Sequence, residues 1–404
     1  MTSSYYAARQ RDLWLTRFYY FFYLGGMGFI FPFLNIFYVR LGLSGAQIGW
    51  IAAVGACVSL IIAPIWTNRN DQWHNPRAML QLALFLTALS FLWLSWQQLF
   101  IGVIIVTFFR VLVGAGISPL SDALALSVTS AVRKGFGTVR VWASIGWVLW
   151  VLLSGWLIEQ TTIKTGLFGV SITLTISAML LFWIGAQNFR SPVAANPEQP
   201  SLRGAIYTML HNRSMVSVGI MILVIGTSNS GVAQFETVYL DALGAEESLI
   251  GIAGMLGAVV EIPFMLWSDR LVSRQGAYRL LLLSMVMTAA LRAMVLVFPT
   301  VGSIMVERAG GGIAFSFYVI SLTRFVGEQA APHQLRTVMA LYTVTLTNLI
   351  GIIAPPLAGV AFDLFGARWL YAVAAGGYLL GWLVLRLGRQ PPISGDSGSR
   401  RSAL

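Results

Sequence analysis

Charge is scarce in this chain. Asp, Glu, Lys and Arg make up 10% of its 404 residues, where soluble proteins average about 25%. A single soluble core also stops growing at about 250–300 residues, so the chain is expected in a bilayer. Cysteine is scarcer still: Cys57 is the one thiol, inside an apolar run. That excludes a disulfide framework and a thiolate metal cluster. The three histidines, His74, His211 and His333, all fall between apolar runs, so no intramembrane imidazole relay is expected. Neither a GxxxxGK(S/T) phosphate loop nor an HExxH helix occurs, which argues against an ATP-driven pump and an intramembrane protease. No enzyme activity, cofactor or metal is expected.

Apolar residues are abundant, at 57% of the chain, with a mean hydropathy of +0.75, and they come in runs. A bilayer core of roughly 30 Å needs about 20 apolar residues per helix. On that measure the chain divides into twelve spans, near 13–39, 46–66, 77–96, 99–130, 139–158, 166–189, 214–240, 247–267, 277–298, 300–326, 335–360 and 367–388. Each is expected to be a helix, because only a helix satisfies its own backbone hydrogen bonds in lipid. The opening residues, MTSSYYAARQRDLWLTR, have no small-residue cleavage site after a short apolar core, so the first run is read as a retained span.

The formal charge of +11 does not point to nucleic acid, because the basic residues punctuate the ends of apolar runs and form no polar domain. Of the 26 Lys and Arg, Arg40, Lys164 and Arg368 fall on one side, and Arg110, Arg292 and Arg308 fall within spans. The rest share the side of both termini. By the positive-inside bias both termini are cytoplasmic, in an integral multi-pass protein of the plasma membrane. Residues 190–213, RSPVAANPEQPSLRGAIYTMLHNR, form the one long polar interior stretch. The expected division is a six-helix bundle over 1–189, a cytoplasmic linker over 190–213, a second bundle over 214–388 and a disordered tail over 389–404.

The two halves echo each other. YVRLGLSGAQIGWIAAVGA leads to Pro64 and then Asp71; YLDALGAEESLIGIAGMLGA leads to Pro263 and then Asp269. A second echo pairs GWLIE at 155–159 with GVAFD at 359–363, both near span ends opposite the termini. Repeated bundles imply rocking about a shared interface, with a substrate site near the bilayer midplane between them.

These residues resemble the major facilitator superfamily over essentially the whole chain. The loop after span 2 resembles that superfamily's acidic–basic gating loop in degraded form, with Asp71 and Arg77 in place but Thr67 where a glycine is usual. The copy after span 8, with Asp269 and Arg270, is closer. Span 1, FYYFFYLGGMGFIFPFLNIF, and the stretch SPLSDALALSVTSAVRKGFGTVRVWASIGW are similar to the branch of lactose permease, 3-phenylpropionate permease and nucleoside–proton symporters. The resemblance implies twelve helices in two pseudo-symmetric bundles. It also implies that Asp122 and Arg140 hydrogen-bond a polar substrate on which Trp147 stacks. Physically, an unpaired charge among apolar helices costs several kcal/mol, so Arg140 is expected to pair with Asp122, either in a substrate site or as a static clamp of spans 4 and 5.

Other embedded charges are functional candidates. At about 1.5 Å per residue, Arg110 and Glu261 fall near mid-depth, while Arg292 and Glu307 reach the same depth and are placed to pair. Arg308 is adjacent to Glu307, and Glu236 lies seven residues from Asn229, on one helix face. Glu261 is the preferred proton-coupling carboxylate: it has no basic neighbour in its own span, and it resembles the corresponding acid of the phenylpropionate permease. Its alternative role is as structural partner to Arg110 or Arg292. Span 10, VERAGGGIAFSF, lacks the histidine and following carboxylate of lactose permease, so that protein's coupling machinery does not carry over. Pro32, Pro119, Pro355, Pro356 and the GAG and GGG runs at 114–116 and 310–312 are read as packing features.

The expected function is secondary transport of a small polar or anionic organic solute, a carboxylate, nucleoside or sugar, by a monomer using alternating access and proton symport. Substrate contacts are assigned to Asp122, Arg140, Trp147, Arg110 and Asn229, and the charge network to Glu261, Arg292, Glu307, Arg308 and Glu236. The alternative is a proton-driven drug or metabolite exporter of the same fold. Span 5 lacks the Gly-Pro-x-x-Gly-Gly pattern of drug antiporters, which favours uptake. A non-transporting receptor is the rival from another class, disfavoured because the compact polar parts leave no room for a signalling domain.

Overall fold

A computed structural model describes residues 2–72, 75–189, 202–330 and 335–388. All described regular structure is helical. The helices are α1 (Thr2–Tyr23), α2 (Leu34–Arg40), α3 (Gly45–Gln72), α4 (Pro76–Leu94), α5 (Phe100–Gly114), α6 (Ile117–Ala131), α7 (Gly137–Gln160) and α8 (Lys164–Leu180) in the first half. The second half holds α9 (Leu202–His211), α10 (Arg213–Ala242), α11 (Glu247–Gln275), α12 (Ala277–Val297), α13 (Val301–Gln329), α14 (Leu335–Ala340), α15 (Thr347–Phe365) and α16 (Ala367–Gly388). Eleven described helical segments are long and apolar enough to cross a membrane, and Lys164–Leu180 is a shorter apolar one. Large apolar side chains such as Trp96 (71% exposed) and Leu364 (69%) cover the outside, as a lipid-facing surface requires.

Three expected spans are broken. The first splits between α1 and α2 through a short 3₁₀ segment, Gly25–Phe29. Gly25 explains the break: a Cβ there would sit 2.6 Å from Gly146 Cα on α7, so the two backbones touch. The fourth splits between α5 and α6 at Ala115 and Gly116. A Cβ on Gly116 would meet Trp66 at 2.6 Å, and Pro119 falls in the first turn of α6, where its missing N–H costs nothing. In the eleventh, a π-helical turn, Leu341–Leu346, separates α14 from α15. The sixth span ends earlier than expected, at Leu180, followed by turns and a 3₁₀ segment at Ala186–Phe189. Part of the supposed linker, Leu202–His211, is helical; the remainder of that stretch to residue 201 and the tail from 389 lie outside the described residues.

Polar caps set the helix starts. Asn75 accepts from Ala78 N–H with Pro76 at the first helical position. Asn212 accepts from Ser214 and Met215 N–H at the start of α10. The repeat also fixes two turns. Gly42 (φ 81°) and Gly244 (φ 82°) end α2 and α10 in the left-handed region that glycine adopts without strain.

The halves meet along two helix pairs, α3 with α15 and α7 with α11. Both seams are built on glycine. A Cβ on Gly45 would lie 2.6 Å from Gly359 O, and one on Gly251 would lie 2.8 Å from Val151 O. Small residues let the backbones approach closely, which is what joins helices in a solvent as apolar as they are.

Candidate functional site

Two cavities lie inside the bundle and both reach Ala258 on α11. The first, about 590 Å³, is walled by Tyr23, Met27, Phe31, Ser118, Arg140 and Trp147. The second, about 640 Å³, is lined by Asn229, Glu236, Glu261, Arg292, Glu307 and Arg308, with Tyr318 and Tyr378. One wall is therefore aromatic with a single cation, and the other is polar. Trp147 bridges the halves: its indole N–H donates to Gly254 O at 3.2 Å.

Arg140 and Asp122 do not form the expected ion pair. Asp122 turns towards α1 and accepts a hydrogen bond from Tyr20 Oη at 2.7 Å, beside a Tyr19–Ser121 hydroxyl pair at 2.6 Å. The phenol supplies the hydrogen bond the carboxylate needs. Arg140 is exposed and lines the first cavity. An exposed position on a cavity wall avoids the desolvation cost that pairing was invoked to offset.

The second cavity holds a four-charge network. Arg292 Nη1 lies 2.9 Å from Glu307 Oε1 and 3.1 Å from Glu236 Oε2. Arg308 pairs with Glu236 from the other side. The carboxylates are 3–4% exposed at their side chains, and two cations answer two anions. Such a buried set persists only when each charge is matched. Asn229 shares this cavity, with its Oδ1 buried and without a hydrogen-bond partner among the described residues. Glu261 stands apart on the same wall: it forms no ion pair among the described residues, and its backbone oxygen accepts from Ser316 Oγ at 3.0 Å. The alternative partners considered for it are otherwise arranged. Arg292 is held by Glu236 and Glu307, and Arg110 lies in a separate pocket with Tyr38 and Thr107.

At the end of the bundle opposite the termini, polar contacts join the halves. Arg40 reaches Asp241 at 2.7 Å and Glu247 at 2.9 Å. Asn35 Nδ2 donates to Gln234 O at 2.6 Å. Asp363 accepts from Gly45 and Ala46 N–H at 2.6 and 2.8 Å, and Glu159 accepts from Ser248 N–H at 3.2 Å. None of these pairings was assigned from sequence; the echo of GWLIE and GVAFD was the available signal. The four residues expected in gating loops are helical instead, because the helices run on past the apolar spans: Asp71 is on α3, Arg77 on α4, and Asp269 and Arg270 on α11. Arg77 donates to Phe182 O and Arg270 is exposed. The side chains of Asp71 and Asp269 lie outside the described ones, as do His74 and His333.

Comparison with known proteins fits this architecture. The family described as "MFS_1 like family" matches residues 13–373. The maltose permease of Geobacillus stearothermophilus is 29% identical over 67% of this chain and 68% of its own length. A protein named "Probable 3-phenylpropionic acid transporter" from Escherichia coli is 26% identical over 66% and 69%. A "Multi-drug resistance efflux pump PmrA homolog" from Lactococcus lactis is 24% identical over 69% and 70%. The crystal structure of the nucleoside transporter NupG superposes with a TM-score of 0.77 at 15% identity, covering 93% of this chain and 98% of that one. Helices, seams and family agree: the chain belongs to the MFS_1-like family and is a multi-pass major facilitator transporter, not an enzyme.

Proposed function

We propose that this transporter carries a small polar or anionic organic solute, a carboxylate, nucleoside or sugar, across the plasma membrane by alternating access coupled to proton symport. The observation that carries the reading is the pairing of opposite walls. Arg140 and Trp147 line one cavity, Glu261 and Asn229 line the other, both cavities reach Ala258, and neither Arg140 nor Glu261 is held in an ion pair among the described residues. A guanidinium donates a planar fork to carboxylates and diols, and the indole face offers apolar contact. Glu261, with no cation paired to it among the described residues, is the carboxylate that exchanges a proton with the cavity.

With the termini in the cytoplasm, the end closed by Arg40, Asp363 and Glu159 is the outer one, so this conformation faces inward. Residues 1–189 and 214–388 then rock as two bodies about the α3–α15 and α7–α11 seams, with Asp71 near the end of α3, Arg77 at the start of α4, and Asp269 and Arg270 near the end of α11, gating the inner side. The Glu236–Arg292–Glu307–Arg308 network is charge-matched and holds α10, α12 and α13 together; its role is to shape the polar wall. A thermal-shift screen of the purified monomer against carboxylates, nucleosides and sugars tests the assignment. A ligand at many times its dissociation constant raises apparent stability by a few kcal/mol. One class is expected to shift the wild type and to lose the shift in Arg140→Gln. A shift that survives that change would remove Arg140 from the site. The exporter reading draws on the efflux-pump relative and predicts extrusion instead of accumulation in intact cells.

A further inference from the structure

Arg110 is an embedded cation with no protein counter-charge among the described residues. Arg292 has two carboxylates, Arg308 has Glu236, and Arg40 has Asp241 and Glu247. Arg110, on α5, has no ion pair or hydrogen-bond partner among the described residues, and its Nε is sealed from solvent. The ring of Phe91 lies 5.0 Å from its guanidinium carbon. That contact is attractive, but it neutralises nothing.

The guanidinium borders a cavity of about 140 Å³ between α2, α3 and α5. Two other polar groups face this pocket, the hydroxyls of Tyr38 on α2 and Thr107 on α5. Both are buried and lie against each other, and neither meets full hydrogen-bond geometry with any other group among the described residues. The remaining lining is apolar apart from Asn35, whose amide N–H is committed to Gln234 O at 2.6 Å. No carboxylate lines the pocket, and it shares no lining residue with the two central cavities. A guanidinium and two hydroxyls form a set of donors with nothing negative to receive them, which is the chemistry of an anion site.

We propose that Arg110, Tyr38 and Thr107 bind a small monovalent inorganic anion of the halide kind, at a site distinct from the solute cavity. Size excludes a nucleoside or disaccharide. Charge selects a monovalent ion, since one negative charge cancels one guanidinium and a second would stand unmatched in an apolar pocket. The site also has a mechanical setting. Tyr38 sits on α2, between Asn35, which reaches Gln234, and Arg40, which reaches Asp241 and Glu247. An ion that ties α2 to α5 therefore braces the segment that closes one end of the bundle.

The test uses the full chain purified in detergent with gluconate as the starting anion. Chloride or bromide is titrated at constant ionic strength while thermal unfolding is followed. The wild type is expected to gain stability saturably. Tyr38→Phe and Thr107→Val, which each remove one hydroxyl and little else, should raise the half-saturating concentration several-fold. Arg110→Gln should abolish the response, and Arg140→Gln should keep it. Bromide crystals should give an anomalous peak beside Arg110. A wild type indifferent to halide at constant ionic strength would overturn the proposal. So would a halide response that Tyr38→Phe and Thr107→Val leave unaltered, or one that Arg140→Gln removes.

Discussion

Glu159 at the end of α7 and Asp363 near the end of α15 stand at equivalent points of the two halves, and each accepts main-chain N–H groups from a helix that begins across the interface. Asp363 receives Gly45 and Ala46 at 2.6 and 2.8 Å, and Glu159 receives Ser248 at 3.2 Å. Helix starts carry unsatisfied donors and a partial positive charge, so a carboxylate from the other half is both cap and latch. Arg40 reinforces the same end through Asp241 and Glu247.

Removing the latch should loosen that end. Each cap contributes about 0.5–2 kcal/mol, so Glu159→Ala with Asp363→Ala shifts the conformational balance by roughly one to three powers of ten. The readout is maleimide labelling of Ile48→Cys, a buried position on α3, in a Cys57→Ser background. Labelling should accelerate in the double variant; an unchanged rate would mean that the carboxylates do not hold the halves together.

The buried charge network behaves differently from surface ion pairs. Arg292→Met leaves Glu236 and Glu307 without their shared cation, and stranding a buried charge costs about 3–5 kcal/mol. Arg292→Met combined with Glu307→Gln should cost less than the sum of the single changes, because the stranded carboxylate is removed as well. Denaturation of the four proteins in detergent checks this. Strict additivity would contradict a coupled network.

Asp122 and Arg140 are separable, although their spacing suggests a pair. Asp122→Asn keeps an acceptor for Tyr20 Oη and should leave ligand affinity unchanged. Arg140→Gln removes charge-assisted hydrogen bonds of about 1.5–3 kcal/mol, and so should weaken binding of an anionic solute roughly tenfold or more. Calorimetric titration of both variants decides it, and equal losses would restore the Asp122–Arg140 unit.

How far the sequence could be read follows from the physics of lipid. Span existence and the all-helical class follow from hydropathy, because a bilayer leaves the backbone few choices. Depth was also legible: counting residues put Arg292 and Glu307 at one level, and they lie 2.9 Å apart. Rotation was not. Nothing in the spacing of Asp122 and Arg140 says that one faces α1 and the other a cavity, since that depends on how α6 and α7 turn against their neighbours. Broken helices hid for a similar reason. Gly25 and Gly116 give way because Gly146 and Trp66 press on them, contacts more than forty residues away in sequence. The latch carboxylates were visible as an echo, but their partners belong to the opposite half.

The most direct test concerns Glu261 as proton carrier on the second-half wall, in a cavity that reaches Ala258 beside the first. In proteoliposomes loaded with the solute found by the stability screen, Glu261→Gln should still exchange internal for external solute. It should fail to accumulate solute against its gradient when a proton gradient is imposed. Accumulation by the variant with the wild-type dependence on the proton gradient would contradict the account.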